Sequence, residues 1–133
     1  MRAAKIYLIL IAVFSIAIGL VYLIAPSVMT APFGFGELGP SALTDVRANY
    51  GGFQIGTGLF MLFCLPYHRR KLGMLLALLL GVTVTISRAI GLVVDGDVTP
   101  PLTTALVVET VLTLVPLVIY LRLPPSGTRE REV

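Results

Sequence analysis

Four long apolar runs divide the chain, at roughly residues 6–25, 44–65, 72–94 and 102–121. A helix that crosses a bilayer needs about 20 mostly apolar residues, and each run reaches that length. The pattern predicts an all-α integral membrane protein, a four-helix bundle running up, down, up and down. It reads as a single membrane domain over residues 1–133, with a flexible tail at 124–133. Pro66 closes the second run and Pro124-Pro125 follow the fourth, since proline cannot continue a helix. Thr99-Pro100-Pro101 has the form of an N-cap with proline in the first turn, and opens the fourth run. Pro116 lies inside that run. It removes the donor from the Leu112 carbonyl, and lipid offers no replacement, so a neighbour or a water must supply one.

The first run is expected to remain as an uncleaved helix. Its apolar core exceeds the roughly 7–15 residues of a signal peptide, and Pro26 directly follows Ala25. The connection at 26–43 is the only long one. It holds Pro26, Pro32, Pro40, Gly34, Gly36 and Gly39, with Phe33 and Phe35 placed to reach the membrane interface.

Composition agrees with this reading. Hydrophobic residues make up 56% and charged residues 13%, and the mean hydropathy is +0.95. Soluble domains carry about 25% charged residues, so a soluble globular enzyme is excluded. The net charge of +3 comes from Lys and Arg that flank the apolar runs: Arg2, Lys5, Arg69, Arg70, Lys71, Arg122, Arg129 and Arg131. By the positive-inside rule, both termini and the 66–71 connection are cytoplasmic, in a multi-pass protein of the cell membrane. No basic helix face carries interleaved aromatics, so nucleic acid is not a partner. Cys64, the single cysteine, reads as a packing residue.

Two motifs are decoys. Gly34-Phe35-Gly36-Glu37-Leu38-Gly39 matches a dinucleotide fingerprint, but no strand precedes it and Pro40 follows. His68 has no second ligand nearby, so no metal site is expected. No cofactor is implied. There is no Ser-His-Asp set and no close carboxylate pair within the runs, and no catalytic residue is assigned.

The candidate site is a polar constellation at membrane depth. Arg47, Arg88 and Glu109 lie inside the runs, where each ionisable group costs about 2.5–3.5 kcal/mol on insertion scales. At about 1.5 Å per residue they fall about 5, 9 and 10 Å from the outer ends of their helices, so all three share the outer half. Helical phase groups Arg47, Tyr50, Gly51, Gln54 and Gly58 in the second run; Ala77, Gly81, Arg88, Gly91 and Asp95 in the third; Glu109, Thr113 and Tyr120 in the fourth; and Ser15, Gly19 and Tyr22 in the first. A bundle turns such stripes inward. Gly52 and Gly56, on another face, have the spacing for close helix approach.

Two arginines against one glutamate leave an excess of positive charge. The expected ligand is therefore a lipid-like or anionic small molecule, held by Arg47, Tyr50, Gly51, Gln54, Arg88, Glu109 and Thr113. The competing reading is structural: Arg88 and Glu109 form a neutralised pair that fixes helix packing, Arg47 reaches the interface, and Asp45 and Asp95 serve the arginines as partners. The protein is then an accessory subunit of a membrane complex or a homo-oligomer.

The stretch Asp45-Val46-Arg47-Ala48-Asn49-Tyr50-Gly51-Gly52-Phe53-Gln54-Ile55-Gly56-Thr57-Gly58-Leu59 is the most recognisable. Together with Gly19 to Pro26, Ser87-Arg88 and Glu109, it resembles an uncharacterised bacterial family, the domain of unknown function 4345, over about residues 5–121. The resemblance implies a small four-helix membrane protein and marks Arg47, Tyr50, Gly51, Gly52, Gln54, Arg88 and Glu109 as the positions to test. The layout of the second and third runs also looks distantly DoxX-like, which implies a third reading, a quinone-linked oxidoreductase subunit.

Overall fold

The structure, a computed structural model, describes residues 2–96 and 98–124; the expected flexible tail lies outside them from residue 125 on. The described chain is helical, with no strand among the described residues. The helices are α1 (Arg2–Ile24), α2 (Pro26–Thr30), α3 (Pro40–Val46), α4 (Phe53–Phe63), α5 (Arg70–Asp95) and α6 (Pro100–Arg122). Three helical segments are long and apolar enough to cross a membrane: Arg2–Ile24, Tyr67–Asp95 and Pro100–Arg122.

The second apolar run departs from the expected regular helix. It starts earlier, at Pro40, and a π-helical turn over Arg47–Gly52 separates α3 from α4. There the Phe53 N–H reaches back five residues to the Ala48 carbonyl, the wide spacing that defines such a turn. Apolar periodicity does not report a single widened turn, because helical backbone continues through both ends of it. The long connection is also more ordered than its glycines imply. Pro26 opens α2, where a missing N–H costs nothing. A 3₁₀ turn, Ala31–Phe33, then ends on Gly34 at φ +74°, a left-handed position that favours glycine. Phe33 and Phe35 are exposed.

Two compact units compose the described chain: Ile9–Phe63, and residues 2–8 with 64–124. In the first unit α1 packs on the π turn and α4. A Cβ at Gly19 would stand 2.8 Å from the Gly51 carbonyl oxygen, and one at Gly58 would stand 2.8 Å from that of Ala12. Backbone therefore meets backbone, as small residues permit in membrane helix pairs. Among the described residues no helix closes on Gly52 or Gly56: both are exposed, and a Cβ there would meet at most the Arg47 carbonyl at 3.9 Å. The face that carries Gly51 and Gly58 is the one turned to α1.

In the second unit Leu8, Cys64 and Met74 are fully buried. A Cβ on Gly73 would stand 2.8 Å from both Cys64 and Leu8, which accounts for the lone cysteine as a packing residue. α5 and α6 form an antiparallel pair. Lys71 lies over the Tyr120 ring, 5.1 Å from its centroid. Gly81 receives Thr113 so closely that a Cβ would collide with its hydroxyl, and Arg88 meets Glu109. Thus Glu109, Thr113 and Tyr120, grouped by phase alone, all face α5. Pro116 is fully buried, and the carbonyl it orphans is answered: the Tyr7 hydroxyl donates to the Leu112 oxygen at 3.1 Å.

Candidate functional site

Arg88 stands on α5 and Glu109 on α6, two long helices held in register by Gly81 and Thr113. The Arg88 guanidinium donates from Nε to Glu109 Oε2 at 2.7 Å and from Nη2 to Oε1 at 2.6 Å. This is the bidentate fork that matches a carboxylate. The two side chains are 24% and 23% exposed, so the pair is half-buried, not sealed. Thr113 donates its hydroxyl to the Glu109 carbonyl at 2.7 Å and is buried. It packs against Gly81 of α5. Thr85, three residues before Arg88, holds a buried hydroxyl with no partner among the described residues.

Beside the ion pair an open cleft of about 290 Å³ is lined by Arg88, Gly91, Leu92, Asp95 and Leu102. Asp95 ends α5, and its Oδ2 lies 3.7 Å from the place a Cβ on Gly91 would take. The carboxylate therefore folds back along the helix over Gly91. The expected ion pair for Asp95 is not formed with any described residue. Around this cleft Arg88 contributes one positive charge, while Glu109 and Asp95 contribute one negative charge each. Among the described residues around this cleft, positive charge is therefore not in excess.

The remaining expected ligand residues lie in the other unit, and most are occupied. Arg47 donates from Nε to the Leu23 carbonyl at 3.1 Å, answering an acceptor that the end of α1 leaves open. Tyr50 stacks on Tyr22, with ring centroids 5.3 Å apart. Gly51 seats against Gly19 and Leu23. Gln54 is half-buried on α4. The Arg-x-x-Tyr-Gly-Gly pattern is therefore the π turn itself, docking on α1. Asp45 forms no ion pair with a described residue.

Sequence reasoning placed Gly91 and Asp95 beside Arg88 but passed over Leu92 and Leu102. One more apolar residue in an apolar run carries no signal. Leu102 was identifiable only from its position in the first turn of α6, across from the end of α5.

Membrane-length apolar helices, few charges and an ion pair between two of them define a helical membrane protein. The family model described as Domain of unknown function (DUF4345) matches residues 3–121, and the chain belongs to that family. No curated protein and no solved structure matches it significantly.

Proposed function

We propose that this is a multi-pass protein of the cell membrane that binds a lipid-like amphipathic molecule in the α5–α6 cleft. α3, the π turn and α4 follow one another without a break, at seven, six and eleven residues. That run is long enough to serve as a fourth span across a core of about 30 Å. With both termini on the cytoplasmic side, the Asp95 end of the hairpin faces outward, and the cleft opens toward the outer leaflet.

The observation that carries the reading is the cleft itself, which adjoins an ion pair at membrane depth and is walled by Leu92 and Leu102. Ionisable groups at such depth mark binding or transport sites in other membrane proteins. Native mass spectrometry of the purified chain, with lipid and small-molecule identification, tests it. A bound amphipath retained by the wild type and lost in Arg88→Ala is the expected result. A ligand-free wild type contradicts it.

The closed fork between Arg88 and Glu109 favours a second reading, an accessory subunit in which the pair only orients helices. That reading expects Arg88→Leu with Glu109→Leu to fold and to keep its function, while either change alone harms folding.

A further inference from the structure

We propose that the cleft selects an amphipath whose head group joins a primary ammonium to a phosphate, the phosphatidylethanolamine class of membrane lipid. This rests on the reading of the cleft as a lipid-binding site and names the head group it takes.

Charge comes first. Glu109 offsets Arg88 through two hydrogen bonds, whereas the Asp95 carboxylate lines the cleft with no ion-pair partner among the described residues. An uncompensated carboxylate at the mouth of the cleft favours a cation. It accepts charge-assisted hydrogen bonds from an ammonium that still carries N–H groups. A quaternary ammonium has none to give and is held instead by aromatic faces. None of the described residues lining this cleft is aromatic.

Geometry places the phosphate. Asp95 folds back over Gly91, so its carboxylate overhangs the cleft floor that the missing side chain leaves open. Leu102 lies in the first turn of α6. Pro100 and Pro101 remove two of the usual free amides there, and Thr103 bonds back to Thr99. The Leu102 N–H thus remains at the positive end of a 23-residue helix, a place that suits a phosphate. Arg88 lines the same cleft. A cleft of about 290 Å³ sits at the lower end of ligand-pocket sizes. It suits a head group and its glycerol, with acyl chains left among the lipids against Leu92.

The test is competition on the full chain in detergent. Equimolar dioleoyl-phosphatidylethanolamine, -glycerol and -choline are offered, and retention is read by native mass spectrometry. The wild type is expected to favour the ethanolamine lipid about tenfold, the worth of one charge-assisted contact. Asp95→Asn, at an exposed position without an ion-pair partner among the described residues, is expected to reduce that preference to parity while still binding phospholipid. Gly91→Leu fills the cleft and is expected to lose all three. A wild type without the preference, or an Asp95→Asn variant that keeps it, overturns the head-group inference and leaves the cleft reading standing. A Gly91→Leu variant that retains lipid like the wild type overturns both. Displacement of the lipid by equimolar soluble phosphoethanolamine would show that the acyl chains play no part and would sink the assignment to a membrane lipid.

Discussion

Arg88 and Glu109 share two short hydrogen bonds, so removing either partner strands the other's charge between two apolar helices. Arg88→Leu or Glu109→Leu alone is expected to cost about 3 kcal/mol, near the low end for a buried pair because both side chains keep some exposure. The double change recovers most of the loss, which thermal unfolding in detergent would resolve as a double-mutant cycle. Thr85 predicts the opposite sign. Its hydroxyl is buried without a partner among the described residues, and valine has the same shape without the polar atom. Thr85→Val is expected to stabilise the protein by about 1 kcal/mol in the same assay. Single-residue signals were uneven in the sequence. The three ionisable residues stood out against apolar runs, and two of them are paired as charge alone allows. That Arg47 would answer a backbone carbonyl was not visible, because carbonyls carry no letter code.

Helical phase was the most legible property of the elements. It grouped Ser15, Gly19 and Tyr22 on one face of α1, and the structure shows Gly19 and Tyr22 meeting Gly51 and Tyr50. Phase also misled, since it offered two glycine stripes on the second run and could not say which one meets α1. The contrast is testable. Gly58→Leu would drive a side chain into Ile16 and the Ala12 carbonyl, whereas Gly56→Leu would enter open space. Gly58→Leu is expected to cost several kcal/mol through overpacking and Gly56→Leu less than about 0.5 kcal/mol, both read by thermal unfolding. Pro116 supplies a second test within one helix. Tyr7→Phe should cost about 1 kcal/mol by stranding the Leu112 carbonyl. In a Pro116→Ala background the restored backbone N–H takes that oxygen, and Tyr7→Phe should then cost almost nothing.

For the molecule as a whole, hydropathy and charge carried the reading. Three of the four apolar runs are uninterrupted membrane-length helices, and the fourth differs by one widened turn that a hydropathy average smooths away. Arg69, Arg70 and Lys71, against Asp95 at the opposite end of α5, set the orientation to be tested. In a Cys64→Ala background, a cysteine at Val98 is expected to react with a membrane-impermeant maleimide on intact cells and one at His68 is not; the reverse labelling would invert the topology. The bond between Tyr7 and Leu112 bears on how such a chain is made. It joins α1 to α6 across 105 positions of the sequence, so the acceptor is synthesised well after the donor. Until α6 is made, Tyr7 lacks that acceptor, and until the two dock, the Leu112 oxygen lacks a replacement for the backbone donor that Pro116 removes. The contact therefore couples α1 to α6: a chain without α1 leaves the Leu112 carbonyl without the donor that Tyr7 supplies.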